Sequence, residues 1–188
     1  AVKERFGVVF DSSSFPEELS AKQIGRILQD IYSRWEPDTF AQLLHRFSIP
    51  TDKKVKEYSR GMKMKLSIAA SLSHHADFLL LDEATGGLDP VVREEILELF
   101  QEFMEEEGHT ILMSSHITSD LEKIADYIIF IHGGKILFSL KIGRRFRHGV
   151  IIQTGGTEIG PVVIKGVPHP TVVNQIGIFF FLALKAGV

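Results

Sequence analysis

The stretch that decides the fold is residues 58–90, YSRGMKMKLSIAASLSHHADFLLLDEATGGLDP. Its second residue, Ser59, can cap a helix. An apolar helical pattern follows and leads to an all-apolar strand at Phe78 to Leu81. A short strand of this kind is typical of a parallel sheet that is buried on both faces. Asp82 and Glu83 follow directly, at the carboxyl end of the strand, where such sheets carry their chemistry. The stretch therefore predicts an α/β domain with a polar site at one edge of its sheet.

The chain before this stretch contains one predicted strand and two predicted helices. The strand is expected at Phe6 to Phe10, and Ser20 with Gln23 forms a capping box that starts an amphipathic helix. A second helix is predicted from about Asp38. It ends before Pro50, because the residue that precedes a proline is pushed out of helical space.

The chain after this stretch alternates helix and strand. Asp89 predicts the N-cap of a helix with Pro90 in its first turn, and Gly108 predicts its C-cap. The further predictions are a strand at Thr110 to Ser114, a helix through Leu121 to Ala125, a strand at Tyr127 to Ile131, a hairpin turn at Gly133-Gly134 and a strand at Ile136 to Leu140. This order implies a parallel sheet covered by helices, with an antiparallel pair at the end.

The candidate catalytic residues each allow a functional and a structural interpretation. Adjacent carboxylates can divide two jobs, one holding Mg²⁺ and the other taking a proton from an attacking water, or they can simply begin a polar loop. Ser59 can belong to an anion-binding helix start or be an ordinary N-cap. His116 can donate to a phosphate or be structural, and Asp11 can reach a metal or cap a loop.

The order and spacing of these residues resemble those of the ATPase subunit of ABC transporters. Ser59 and Gly61 fit the family's signature, Asp82 and Glu83 its Walker B strand, Gly86 to Asp89 its D-loop, and His116 its switch histidine. The resemblance implies a P-loop NTPase-type parallel sheet with an inserted small helical subdomain. Three residues differ from the family's signature pattern, namely Tyr58, Arg60 and Met62.

The resemblance also implies a role for each site residue. Glu83 would be the catalytic base and His116 would act at the γ-phosphate. Asp82 would hold Mg²⁺, and Asp11, where the family has a glutamine, would reach the same ion. The residues expected to contact ATP are Ser59, Arg60, Gly61 and Asp89. In the family the signature contacts the nucleotide bound to the other subunit, and the Arg60 guanidinium is itself a group that binds phosphate.

The printed sequence lacks one element that the family requires. A P-loop ATPase cradles its phosphates with a G-x-x-x-x-G-K-[ST] string, and no such string occurs in the 188 residues. We therefore expect a truncated and incomplete sheet, and a chain that is inactive by itself. The resemblance covers residues 1–140, with a helical subdomain at about 12–75 and the Walker B, D-loop and H-loop part at about 76–140.

The function implied by the resemblance is that of an ATP-binding and hydrolysing subunit that powers a separate membrane permease, with an exporter as the favoured kind. Its expected partners are that permease and a second ATPase subunit, in a homodimer or heterodimer. Residues 12–57 would form the permease-docking surface, with Phe15, Tyr32 and Trp35 as exposed apolar candidates. The alternatives are a nonenzymatic remnant that binds a permease and an ABC ATPase that acts on ribosomes or nucleic acid.

The composition is that of an ordinary globular domain, 44% hydrophobic and 24% charged. A net charge of −3 gives no support for a nucleic-acid partner, and the lack of cysteine permits a reducing compartment. The longest strongly apolar stretch, Ile176 to Leu184, is about half of the roughly 20 residues that a spanning helix needs. We expect a cytoplasmic protein without a transmembrane helix, held at the inner face of the membrane through the permease.

Residues 141–188 differ in character from the rest of the chain. They contain several basic side chains and a single acidic one, Glu158, whereas the preceding residues are acidic overall. Glycines interrupt every candidate element. This segment matches no recognised pattern, and we expect it to pack poorly against the body.

Overall fold

The structure is a computed structural model. It describes residues 2–12, 14–115, 117–132 and 135–141, together with four short segments of the tail, 152–153, 162–164, 172–173 and 180–183. Within this part no helix has the length and the apolar character needed to cross a membrane.

The described residues form alternating helices and strands, with 3₁₀ turns at Val2–Arg5 and Val55–Glu57. The helices are α1 (Ala21–Ile31), α2 (Pro37–Arg46), α3 (Arg60–Leu72), α4 (Pro90–Glu105) and α5 (Thr118–Ile124). The strands are β1 (Phe6–Val9), β2 (Phe78–Asp82), β3 (Thr110–Ser114), β4 (Tyr127–His132), β5 (Lys135–Lys141), β6 (Ile152–Gln153), β7 (Val162–Ile164), β8 (Val172–Val173) and β9 (Phe180–Ala183).

The main sheet has the strand order β1-β2-β3-β9-β4-β5. Strands β1, β2 and β3 run parallel, and their register places Val8 opposite Leu80 and Leu80 opposite Leu112. Strands β4 and β5 form an antiparallel hairpin. The prediction of a parallel sheet that ends in an antiparallel pair is therefore confirmed for these strands.

Strand β9 lies inside the sheet, between β3 and β4. It is antiparallel to both, with Met113 opposite Phe181 and Ile129 opposite Phe180. The expectation that the tail packs poorly is wrong for these four residues. The crossover through α5 leaves one strand position between β3 and β4, and the apolar tail segment pairs its backbone on both sides there. Strands β6, β7 and β8 form a separate antiparallel sheet.

The helix starts follow the local sequence. Ser20 and Gln23 form both hydrogen bonds of the predicted capping box. Asp89 caps α4, with Pro90 as its first residue. The predicted C-cap at Gly108 is wrong, because α4 ends at Glu105 with Glu106 as its cap. Gly108 lies in the turn beyond it, where its φ of +84° suits a residue without a side chain.

Helices α3 and α4 pack on one face of the parallel strands, α3 on β1 and α4 on β3. Val9, Leu79, Leu81, Ile111 and Met113 point to that face and are buried. The opposite face leaves the side chains of Phe6, Val8 and Leu80 exposed. Gly7 is the point of closest approach to α3, since a Cβ there would lie 2.8 Å from the Cβ of Ser71.

Ser71 of α3 and His74, which lies just beyond the end of that helix, close the outer edge of β1. The hydroxyl of Ser71 donates to the carbonyl oxygen of Val8 at 3.4 Å. The buried His74 ring lies between two carbonyl oxygens, those of Phe6 and Ala70, each 3.1 Å from a ring nitrogen. Tyr32 stacks on this ring. The edge strand is thereby bound to the helix through its own carbonyl groups.

Two of the three expected docking residues are engaged within the fold. Trp35 is only 8% exposed and packs against the ring of Phe40, so its assignment as an exposed residue is wrong. Tyr32 is partly buried through its contact with His74. The exposed apolar side chains of this region lie instead on α1, at Ile27 and Ile31, which are 45% and 62% exposed.

Replacing Phe100 by alanine should lower the free energy of unfolding by about 3–5 kcal/mol, since the side chain is fully buried and its removal leaves a cavity. Urea denaturation monitored by circular dichroism measures the change. Val91→Ala in the same helix is the control, because Val91 is 77% exposed and its loss should change stability by about 0.5 kcal/mol or less. Equal effects of the two substitutions would contradict the described packing of α4.

Candidate functional site

Three loops meet at the carboxyl edge of the parallel strands. The first follows β1 and contains Asp11, the second enters α3 at Ser59, and the third joins β2 to α4 and begins with Glu83. Contacts of Arg60 hold the three together, since it pairs with Asp11 and lies against Gly87. The structure therefore places these predicted site residues at one edge of the sheet.

Ser114 joins the two adjacent carboxylate residues to the neighbouring strand. The Ser114 hydroxyl donates to Oδ1 of Asp82 at 2.7 Å, and its oxygen accepts from the backbone N–H of Glu83 at 3.0 Å. The same N–H lies 3.2 Å from the Ser114 carbonyl oxygen. Asp82 and Ser114 are direct partners in the parallel register. Ser114 thus fixes both the Asp82 carboxylate and the backbone at Glu83.

Glu83 adopts a left-handed backbone conformation with a φ of 50°. A non-glycine residue in this region costs on the order of 1–3 kcal/mol, and the surrounding contacts must hold it there. The bonds from Ser114 supply that restraint on one side. On the other side the Gly86 N–H donates to the Glu83 carbonyl oxygen at 2.9 Å, which closes a tight turn. The direction of the Glu83 Cα–Cβ bond is therefore set by a constrained backbone.

The predicted nucleotide contacts Ser59 and Asp89 act as helix caps in this structure. The Ser59 hydroxyl accepts from Met62 N–H at 3.2 Å, and Asp89 Oδ1 accepts from the N–H groups of Val91 and Val92 at 3.1 Å. These bonds fix the starts of α3 and α4 at the same edge of the sheet.

Gly61 sits where the two helix starts touch. A Cβ at this position would lie 3.3 Å from Cγ1 of Val92, which is closer than an ordinary contact. The starts of α3 and α4 are therefore packed against each other, and a larger residue at position 61 would push them apart.

Arg60 and Asp11 form an ion pair at half-exposed positions, with side-chain exposures of 51% and 55%. The same guanidinium packs on the backbone of Gly87, where a Cβ would fall 2.7 Å from Nη1. Gly87 also has a φ of +66°, which favours glycine. In this structure Asp11 and Arg60 contact each other, and Arg60 contacts the loop that carries Glu83.

Tyr58 has a structural contact beside the site. Its hydroxyl donates to the carbonyl oxygen of Pro50, and the side chain is buried. Burial raises the pKa of the Tyr58 phenol above its ordinary value, so the group remains a neutral donor near pH 7. The aromatic ring anchors the chain that leads into α3.

Two of the cavities in the described part of the chain lie at opposite ends of the parallel strands. One of about 420 Å³ borders the site and is lined by Phe10, Asp11, Phe15, Arg60 and Lys63, among others. A larger one of about 630 Å³ opens near residues 76, 77 and 109, which precede β2 and β3. Because it lies at the amino ends of the strands, it is remote from Asp82 and Glu83.

One predicted site residue lies outside the described part of the chain, and one residue of the site was not predicted. His116 lies outside the described residues, so its predicted place at the site has no structural counterpart. Ser114 was missed as a site residue, although its polar side chain at the end of an apolar strand was a usable signal. In the described part of the chain, the buried atoms Thr85 Oγ1 and Asp120 Oδ2 find no hydrogen-bond partner within that part.

Comparisons with known proteins agree on one family. Residues 1–86 match the family model described as ABC transporter. The lantibiotic transport ATP-binding protein SrtF of Streptococcus pyogenes is 38% identical over 135 residues, which cover 71% of this chain and 58% of that protein. The bacitracin transport ATP-binding protein BcrA of Bacillus licheniformis is 33% identical over 138 residues, covering 72% and 45%.

Solved structures show the same fold. CbiO1 from Clostridium perfringens, part of the ABC transporter complex CbiONQ, is 25% identical with a TM-score of 0.62, over 78% of this chain and 61% of that one. The ATP-binding cassette MJ0796, in a dimer bound to ADP and Pi, is 21% identical with a TM-score of 0.66, over 74% and 64%.

Together these matches place the chain in the family of ABC transporter ATP-binding proteins, and the resemblance derived from the sequence is confirmed. The fold class, a P-loop NTPase-type α/β sheet, is confirmed as well. The chain spans 58% or less of the length of the two curated relatives named above.

Ser114→Ala should lower the free energy of unfolding by about 1 kcal/mol, since Asp82 Oδ1 loses a donor and the Glu83 N–H keeps only the weaker of its two acceptors. Thermal denaturation measures this. Ser12→Ala is the control, because Ser12 is exposed in the loop after β1. A Ser114 variant as stable as the Ser12 variant would show that the hydroxyl bridge contributes nothing to the fold.

Proposed function

We propose that this chain carries the signature, Walker B and switch-histidine part of an ATP-hydrolysing subunit that powers a separate membrane permease. The observation that carries the proposal is the Asp82–Ser114–Glu83 arrangement, in which one hydroxyl fixes the Asp82 carboxylate and the Glu83 backbone at the carboxyl edge of a parallel sheet. ABC transporter family membership supports the same conclusion.

The two carboxylates have separate proposed roles. Asp82, held by Ser114, would bind Mg²⁺, and Glu83 would take a proton from the attacking water. The donor set fits the ion, because Mg²⁺ prefers carboxylate oxygen and usually binds few protein ligands. His116 is proposed to orient the water at the γ-phosphate. Asp11 is proposed to reach the same ion, and in this structure its Oδ1 is paired with Arg60.

ATP is the proposed nucleotide, and Ser59, Arg60, Gly61 and Asp89 are proposed to contact ATP held by a second ATPase subunit. Their support is the clustering of the starts of α3 and α4, where Gly61 packs on Val92. A bound ATP would supply the phosphoryl group that is transferred to water. The residues described here would position and stabilise its phosphates through N–H groups and a guanidinium.

A nonenzymatic permease-binding protein is the second candidate. One observation favours it: α1 exposes Ile27 and Ile31, and a partner can bind them without any chemistry at the site. Under this proposal the helices α1 and α2 would bind the permease, and the site would hydrolyse no ATP. Action on ribosomes or nucleic acid lacks a comparable supporting observation.

The proposed docking surface for the permease is the outer face of α1. Ile27 and Ile31 are one turn apart on this helix and both are exposed, so they present an apolar strip to a partner. Phe15, partly buried, packs at the side of the same region. Binding there would hold the subunit at the cytoplasmic face of the membrane. The transport function named for the curated relatives supports a transporter, with export as the proposed direction.

Glu83→Gln, tested in a protein that joins this chain to a P-loop segment, should lower ATP turnover by at least the roughly 10² expected for a lost general base. ATP binding should be retained, because the amide keeps the size of the side chain. Steady-state hydrolysis and equilibrium nucleotide binding are the two measurements. Glu107→Gln, in the exposed turn after α4, is the control and should behave as the parent does. If the Glu83 variant hydrolysed ATP at the parent's rate, the assignment of Glu83 as the general base would be wrong.

Ile31→Asp should weaken copurification with a membrane permease by about tenfold or more, because a charge would be placed in the apolar strip of α1. Val91→Asp is the matched control, since Val91 is also an exposed apolar residue on a helix but lies on α4. Crosslinks from position 31 that captured only RNA or ribosomal protein would argue against the transporter proposal.

A further inference from the structure

We propose that Arg60 is a positioning residue for Glu83, and that its ion pair with Asp11 couples the loop after β1 to the loop between β2 and α4. The proposal rests on the proposed function, in which Glu83 is the catalytic base. It goes further because it identifies a contact through which movement at one loop reaches the other. We call the set Asp11, Arg60 and Gly87 the bridge.

The geometry of the bridge brings together three separate parts of the chain. Arg60 is the first residue of α3, Asp11 follows β1, and Gly87 lies four residues beyond Glu83. The guanidinium uses one nitrogen, Nη2, for the Asp11 carboxylate and turns Nη1 towards Gly87. The planar guanidinium holds its donors in fixed directions, so it can contact Asp11 and Gly87 at the same time. A lysine ammonium on a flexible chain holds two such contacts less well.

Because Gly87 has no side chain, the Arg60 guanidinium can lie directly against its backbone. A Cβ there would lie 2.7 Å from Nη1 and 3.1 Å from Cζ of Arg60. The positive φ of Gly87 also favours glycine at this position. Arg60 thus packs directly on the backbone of the loop.

The loop transmits this contact to Glu83 because most of it is buried and hydrogen-bonded. Ala84, Thr85 and Gly86 are buried, and Leu88 is nearly so. The Gly86 N–H bonds to the Glu83 carbonyl oxygen. Ser114 restrains the first residue of the loop and Arg60 restrains its far end, so the strained backbone at Glu83 is held from both directions.

The Arg60–Asp11 ion pair is weak enough to break and re-form. An ion pair between half-exposed side chains is worth about 1 kcal/mol or less, because water screens the charges. A second ion pair in the same cavity, between Lys63 and Glu17 at 3.0 Å, ties α3 to the following part of the loop without touching Gly87. Movement of the loop after β1 would therefore release Arg60 while the rest of α3 stays attached.

The test is backbone hydrogen exchange measured by mass spectrometry on the chain itself. Asp11→Asn, which keeps the size of the side chain, should speed exchange of the amides at 85–88 by up to about fivefold, the factor that corresponds to about 1 kcal/mol at 25 °C. Arg60→Gln should do the same, whereas Arg60→Lys should give a smaller increase.

Glu17→Gln is the matched control, because it breaks the other ion pair of the same cavity and should leave the amides at 85–88 unchanged. Amides in the middle of α4 serve as an internal reference for global stability. The proposal is overturned if Asp11→Asn leaves exchange at 85–88 unchanged, or if Glu17→Gln increases it equally.

A second measurement separates failure of the bridge from failure of the proposed function. In a protein joined to a P-loop segment, Arg60→Gln should lower kcat more than it raises KM, with partial rescue by Arg60→Lys. Loss of protection at 85–88 in a protein that hydrolyses no ATP would support the bridge and contradict the enzymatic proposal. Normal kcat for Arg60→Gln in an active enzyme would overturn the positioning role.

Discussion

The parallel pairing of β2 with β3 is the constraint on which the rest of the site depends. Its register sets Asp82 directly opposite Ser114, and this places one hydroxyl within reach of both the Asp82 carboxylate and the Glu83 N–H. A shift by one residue would turn each side chain of the strand to the other face of the sheet. The buried residues Leu79 and Leu81 oppose such a shift, because they fill the core beneath α3 and α4. Core packing therefore fixes the geometry of a polar site several residues away.

The features that the sequence foretold are those governed by local chemistry. The capping box at Ser20, the helix start at Asp89 and Pro90, and the apolar strand at Phe78 each depend on residues that are close together in the chain. Such signals need no knowledge of distant partners. The carboxylates at the end of β2 could be located for the same reason, because a strand end is itself a local feature.

The features that were missed depend on contacts between distant residues. The ion pair of Asp11 with Arg60 joins residues 49 positions apart, and Ser114 bonds to Asp82 across 32 positions. No local pattern pairs these residues with each other, although a serine at the end of an apolar strand did mark Ser114 itself. Trp35 carried an apolar helical pattern yet proved buried, because α2 turns back and places Phe40 against it. Strand β9 was unforeseen because its place depends on the position left between β3 and β4, which only the assembled sheet defines.

The closure of the β1 edge has a consequence for self-association. An unprotected sheet edge offers rows of N–H and carbonyl groups on which another chain can add a strand. At β1 the carbonyl oxygens of Phe6 and Val8 are already engaged by His74 and Ser71 of the same molecule. At the other end of the sheet, β5 is the last strand in the order and pairs with β4. An arriving strand would therefore meet occupied acceptors at β1, which disfavours growth of the sheet at this edge.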